Sequence, residues 1–453
     1  MTAVALLALA TPVSAQQIHP TSQQSYHQAV AAGYKALTLC EGIFDAGRTE
    51  AQIASVELRG IYPEYDAIVP TLPATVDRRA RIVTVAFDGQ LAPRRAMWRP
   101  RFGCYLSPIG AHADRVNPSA TPPTALIPDP RQWPMGDAGI APRPSPGLAA
   151  LVARAFDRAS FGAESVTTGV VILKDGRIVA EQYAPGFGPF VANRTWSVAK
   201  SIAGTLVGIA SVTARIDPHR PATIPEWRHP GDPRAAITLD NLMRMASGLH
   251  SDTAGNRTDA IYFGGTAVTE SATGWPIEAA RGTRFRYANN DILLATRSLR
   301  ATLGEARYAN LPHGGLFHPL GMSHTTTGTD WQGNYILSSQ VWTTARDLAR
   351  LGQFWLQDGV WQGRRLLPAG WMRYMTSAAG PQPAEGPGYG ATMWLFGPKQ
   401  GLPVGSYAAQ GNRGQSVMVI PQHRLVIVRR GEDPGAARFD IARFSAEAIA
   451  VLQ

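Results

Sequence analysis

Ser197-Val198-Ala199-Lys200 opens an apolar, helix-like run that continues to Ala210. At 3.6 residues per turn, positions three apart share a helix face, so the serine and the lysine are neighbours. An amine beside a hydroxyl can take its proton, which is the activation a serine nucleophile needs. Only a titratable amine can do this, because a guanidinium stays protonated. The chain carries 43 Lys and Arg residues, yet its only lysines are Lys35, Lys174, Lys200 and Lys399, and Lys200 alone follows a serine by three. The competing reading is an N-capping serine and a solvated lysine on an amphipathic helix.

Working outward from this run, a helix is expected over Gly147 to Ala159. A hairpin should follow, Val166 to Leu173 and Arg177 to Tyr183, turned at Lys174-Asp175-Gly176, since Asp-Gly is a strong hairpin turn signal. The middle, Ser197 to about Ser377, reads as mostly helical. Two late strands, Gln415 to Ile420 and Arg424 to Arg429, flank Pro421-Gln422-His423, and a helix over Ala436 to Leu452 ends the chain. Strands at both ends with helices between them imply one antiparallel sheet assembled from distant segments, with a large helical insert. The class is therefore α+β.

At 453 residues two domains are expected, and 45% hydrophobic against 17% charged residues describes a globular chain. Residues 1–15 are apolar and end in Val13-Ser14-Ala15, which resembles a signal peptide, although no basic residue precedes the apolar run. A periplasmic or secreted location follows from that reading. No later run is long and apolar enough to span a membrane. Residues 16–116, with a helical stretch Ser25 to Leu39 and extended patches Ala80 to Phe87 and Arg95 to Tyr105, read as a small α+β domain without a chemical constellation. Residues 117–147 are rich in Pro and read as a linker or strap, and 148–453 form the second domain. Cys40 and Cys104 are the only cysteines; an even count in an oxidising compartment allows one disulfide, the alternative being two buried thiols. The formal charge of +10 is scattered arginine without a stripe or nucleic-acid module, so no nucleic-acid partner is expected.

Three segments carry the chemistry: Ser197-Val198-Ala199-Lys200, Tyr287-Ala288-Asn289, and Gly411-Asn412-Arg413-Gly414-Gln415 before a late strand. Their order and setting resemble the serine β-lactamase and penicillin-binding family, in its class C-like branch with the esterases, D-amino-acid peptidases and 6-aminohexanoate-dimer hydrolases. Leu242 to Leu249, Phe317 to Met322 and Thr343 to Ala349 support the resemblance, which covers about residues 150 to 453. It implies a β-lactamase/transpeptidase-like fold and an acyl-enzyme mechanism without metal or organic cofactor.

On that resemblance Ser197 is the nucleophile, Lys200 a desolvated base, and Tyr287 the residue that passes a proton to the leaving group, its phenolate favoured by cationic neighbours such as Lys200. Asn289 binds substrate amide and steadies Lys200. Gly414 lets substrate approach a strand edge, and the N–H groups of Ser197 and Gln415 form an oxyanion hole. The structural alternatives are a core tyrosine and a turn asparagine. Penicillin-recognising members carry Lys-Thr-Gly or His-Thr-Gly in the third segment; here it reads Asn412-Arg413-Gly414, with Arg413 a possible substitute cation for a substrate carboxylate. Trp196, Trp331, Trp342 and Trp394 are candidates for a pocket wall or for core. The expected activity is hydrolysis of a small amide or ester, with peptidoglycan fragments as possible partners. The alternatives are a true β-lactamase or D,D-carboxypeptidase, and a catalytically weak penicillin- or peptidoglycan-binding protein.

Overall fold

The computed structural model describes residues 20–111, 129–251 and 258–453; the signal-like residues 1–15 and the first part of the Pro-rich stretch, 117–128, lie outside the described residues. The chain begins with helix α1 (Pro20–Phe44) against a four-stranded antiparallel sheet, β1 (Ala74–Asp77), β2 (Ile82–Val85), β3 (Arg94–Arg99) and β4 (Gly103–Leu106), paired in that order. α1 reaches beyond the expected Ser25 to Leu39 at both ends. The expected extended patch Arg95 to Tyr105 is two strands folded back at Arg101, whose φ is +71°. Small side chains from Ala29 to Gly33 let α1 pack closely: a Cβ at Gly33 would sit 2.0 Å from the Phe263 carbonyl oxygen. A disulfide, Cys40–Cys104, joins α1 to β4.

After helix α2 (Pro146–Arg154), a seven-stranded antiparallel sheet forms the centre of the molecule. Its strands are β5 (Thr167–Lys174), β6 (Arg177–Tyr183), β7 (Gly388–Tyr389), β8 (Trp394–Phe396), β9 (Ser406–Gly411), β10 (Gln415–Ile420) and β11 (Leu425–Gly431), in the spatial order β7-β8-β9-β10-β11-β5-β6. The turn between β5 and β6 uses Asp175 and Gly176, both at positive φ, as a two-residue hairpin requires. β10 and β11 are buried along their whole length, which is why they read as continuous apolar runs rather than alternating ones.

Helices cover both faces of this sheet. α2 and the terminal helix pack on one face around Phe161, Ile172, Met418 and Phe444. On the other lie helix α3 (Val198–Ala214), helix α4 (Asn289–Leu303) behind it, and helix α5 (Ala345–Leu356). The terminal helix α6 spans Ile441–Leu452; the residues from Ala436, expected to be helical, precede it, and Asp440 caps it by accepting the N–H of Arg443. The buried cluster on the α3 side runs without interruption into the N-terminal segment, from Val171 and Ile202 through Trp196, Tyr262 and Phe263 to Tyr34, Leu37 and Leu106.

The disulfide closes a sequence separation of 64 residues, and loop-closure entropy gives it a stabilising effect of about 4 kcal/mol. The Cys40→Ala/Cys104→Ala protein should therefore unfold at lower urea concentration, by an amount equivalent to roughly 2–4 kcal/mol. Equal midpoints for the two proteins would show that the crosslink adds nothing.

Candidate active site

Ser197 stands at the first turn of α3, directly after Trp196, whose φ of +50° places a bulky residue in the left-handed region. Such strain persists only where packing over-determines it. Here the Arg194 guanidinium lies 4.0 Å from the Trp196 ring, and Arg194 is itself bonded to Ser339. One turn along α3, Lys200 is only 1% exposed. Its Nζ lies 2.9 Å from Ser197 Oγ, 2.6 Å from Asn289 Oδ1 and 2.8 Å from the Ser338 carbonyl oxygen.

These three partners can serve a neutral amine. Asn289 Oδ1 and the Ser338 carbonyl are pure acceptors and take two hydrogens, while the Ser197 hydroxyl oxygen accepts from an ammonium or donates to the lone pair of an amine. Burial favours the amine, holding Lys200 well below the ordinary lysine value. Asn289, at the start of α4, is fixed in turn by its Nδ2 donating to Thr258 Oγ1 at 3.2 Å.

Tyr287 lines the same cavity as Ser197, with its hydroxyl close enough for the serine to act on it. Its ring stacks on Trp394 at 5.4 Å and meets the edge of Tyr389 at 5.9 Å. Burial raises its phenol above the ordinary tyrosine value, outweighing the bond from Ser197, which lowers it. The expectation of a phenolate supported by a cationic Lys200 is therefore corrected. The same dry surroundings that raise the phenol lower the amine, whose Nζ is 4.9 Å from the Tyr287 ring centroid. Ser197 Oγ therefore lies between the two titratable groups, 2.9 Å from Lys200 Nζ and beside the Tyr287 hydroxyl.

The third segment is placed differently from its sequence reading. The glycine that touches Ser197 is Gly411, the last residue of β9: a Cβ there would lie 2.3 Å from the Thr195 carbonyl oxygen and 3.0 Å from Ser197 N. Gly414 instead makes room for an ion pair, since its missing Cβ would fall 1.7 Å from Arg429 Nη1 and 2.3 Å from Asp433 Oδ2. Gln415 sits on β10, across the ladder from Gly411. Its side chain is buried, donating to the Gly431 carbonyl and accepting from Arg430 Nε at 2.7 Å. Arg413 borders the same cavity as Ser197 but is 5% exposed; its guanidinium is 2.5 Å from Glu432 and donates to the carbonyls of Val56, Arg59 and Gly60, so its hydrogens are committed to the protein. The residues preceding the contacting glycine are Ala409 and Gln410, so this position has neither the Lys nor the His of penicillin-recognising relatives.

A cavity of about 490 Å³ opens over Ser197. Tyr62, Trp196 and Tyr262 line it as one aromatic group and Tyr287 with Trp394 as another. Of the four tryptophans considered from sequence, Trp196 and Trp394 line the cavity, whereas Trp331 and Trp342 do not. Sequence reasoning missed Gly411, Ser338 and Tyr62. Gly411 was within the quoted motif. The carbonyl of Ser338 and the ring of Tyr62 have no local signal.

Residues 152–448 match the Beta-lactamase family. The chain belongs to that family. A 6-aminohexanoate-dimer hydrolase of Paenarthrobacter ureafaciens is 28% identical over 332 residues, which is 66% of this chain and 81% of that protein. A penicillin-binding protein homologue from Caulobacter crescentus superposes with a TM-score of 0.55 at 16% identity, over 69% of this chain and 99% of that one. A family VIII carboxylesterase does so with a TM-score of 0.53 at 15% identity, again over 69% and 99%. These structures share the β-lactamase/transpeptidase-like fold with this family member. It is a serine hydrolase of the amidase and esterase type.

If the Lys200 amine is the base, charge alone cannot replace it. Lys200→Arg should slow labelling of Ser197 by a fluorophosphonate by about a hundredfold or more, close to the effect of Lys200→Ala. Because burial lowers the amine's pKa, the base form accumulates as pH rises. Wild-type labelling should therefore increase with pH and level off below the ordinary lysine range near about 10.4. Intact-mass time courses across pH read both effects. Retention of more than about a tenth of the wild-type rate by Lys200→Arg would make Lys200 a charge and not a base.

Proposed function

We propose that this hydrolase cleaves a linear amide or ester through an acyl-enzyme at Ser197. The observation that carries the reading is the partner set of Lys200: two pure acceptors and one hydroxyl. Ser197 Oγ attacks the carbonyl carbon as its proton passes to Lys200 Nζ. The oxyanion is held by the N–H of Ser197 and by that of Asn412, which follows the Gly411 contact with Ser197. Tyr287 gives its proton to the leaving nitrogen or oxygen and recovers one from Lys200. A water molecule then loses a proton along the same path and releases the acid by attack on the ester of Ser197. Asn289 serves by keeping Lys200 Nζ aimed at Ser197 Oγ.

A linear substrate fits an aromatic-lined cavity, and the curated relative is named for a linear amide dimer. The β-lactamase and D,D-carboxypeptidase reading draws less support, because Arg413 is committed to Glu432 and Ala409-Gln410 offers no cation beside Gly411. We further propose residues 1–15 as a signal for periplasmic or secreted export, and residues 16–116 as an N-terminal domain, joined by the 117–147 stretch to the hydrolase domain 148–453 and sharing its core. The paired Cys40 and Cys104 accord with an oxidising compartment.

A substrate panel tests the central reading: short-chain nitrophenyl esters, a chromogenic cephalosporin, and linear amides including the 6-aminohexanoate dimer. Ester or linear-amide turnover should exceed cephalosporin turnover by about tenfold or more in kcat/KM, a difference of roughly 1.4 kcal/mol. Ser197→Ala should abolish all of it. Cephalosporin as the best substrate would restore the β-lactamase reading. Stable labelling of Ser197 without turnover of any compound would leave a binding protein.

A further inference from the structure

We propose that the N-terminal segment is a working part of the hydrolase site: Tyr62 forms a wall of the substrate cavity against which an unbranched apolar chain packs, and Arg413 clamps the turn that presents it. This inference rests on Ser197 being the nucleophile of the reaction proposed above. Tyr62 lies outside the stretch that matches the family, residues 152–448, yet it lines the same cavity as Ser197. Its ring meets the edge of Trp196, the residue before the nucleophile, at a centroid distance of 6.4 Å and an interplanar angle of 83°. It also stands against Phe263, Tyr34 and Tyr65, so it is a packed aromatic and not a loose surface ring.

The turn before Tyr62 is held from the catalytic side. Arg413 Nη1 donates to the Gly60 carbonyl at 3.0 Å, and its Nη2 donates to the carbonyls of Val56 and Arg59, each at 3.0 Å. Nε is engaged by Glu432. The N–H of Gly435 donates to the same Gly60 oxygen at 2.9 Å, and Pro434 occupies the space of a Gly60 side chain, whose Cβ would lie 2.3 Å from Pro434 Cβ. Both loops that grip the turn, 412–414 and 432–435, also contribute residues to the cavity. A buried, bidentate-capable guanidinium that binds three successive-turn carbonyls and a carboxylate is committed to position, so Arg413 is a positioning residue and Tyr62 a specificity-determining one.

The test is the rate of Ser197 labelling by an ethyl and by an octyl fluorophosphonate, read by intact mass on the full chain. Removing the wall in Tyr62→Ala should change the octyl-to-ethyl rate ratio by about tenfold, and filling it in Tyr62→Trp should move the ratio in the opposite direction. Arg413→Lys keeps the charge beside Glu432 but cannot reach three carbonyls; it should shift the ratio in the same direction as Tyr62→Ala. A merely structural role would slow both probes alike and leave the ratio unmoved. If Arg413→Lys does not fold, the two Tyr62 variants decide. Labelling of Ser197 with a ratio within about twofold of wild type in both Tyr62 variants overturns this inference alone. Wild-type protein that neither probe labels at Ser197 overturns the nucleophile assignment and this inference with it.

Discussion

Lys200 is enclosed by α3, α4 and the Ser338 carbonyl, and its three hydrogen-bond partners include no carboxylate. A buried ammonium without a counter-ion is costly, whereas a buried amine with its two hydrogens satisfied is not. The surrounding structure follows from that difference. The face of α3 that carries Lys200 is buried in apolar contacts, and α4 begins where Asn289 can offer an oxygen. Tyr287 packs between Trp394 and Tyr389, keeping water from the amine. The same dryness acts on two groups. Lys200 is held well below the ordinary lysine value and Tyr287 above the ordinary tyrosine value, by one cause acting on groups of opposite charge type.

Much of the architecture was legible because several elements state themselves locally. Asp175-Gly176 announces its hairpin, and the apolar runs of β5, β10 and β11 announce a sheet covered on both sides. Ser197, Lys200, Tyr287 and Asn289 converge as their motifs suggested, since each sits at or beside a helix start that fixes its direction. β9 was not legible. Ser406-Tyr407-Ala408-Ala409-Gln410-Gly411 has small residues and no alternation, and it becomes a strand through pairing with β8 and β10 on either side.

The third motif was misread for a related reason. Gly411 and Gly414 are three residues apart, and both are sterically required. One faces Ser197 and the other faces the Arg429–Asp433 pair, and only the path of the turn decides which. Arg413 has a φ of +55°, and its guanidinium is bonded to Glu432 and to carbonyls of the N-terminal segment. Tyr62 could not be read at all, because its role depends on contacts with residues more than a hundred positions later.

The bonds from Arg413 to Val56, Arg59 and Gly60 span sequence separations of 357, 354 and 353 residues. They have a consequence for the timing of biosynthesis. Chains are made from the N-terminus, and early segments collapse while the remainder is still being added. The Ser197 helix emerges well before β9, the 412–414 turn and the 432–435 loop. The nascent chain therefore carries Ser197 without the strand edge that adjoins it or the clamp that seats Tyr62. The cavity over Ser197 is completed only by the last tenth of the polypeptide.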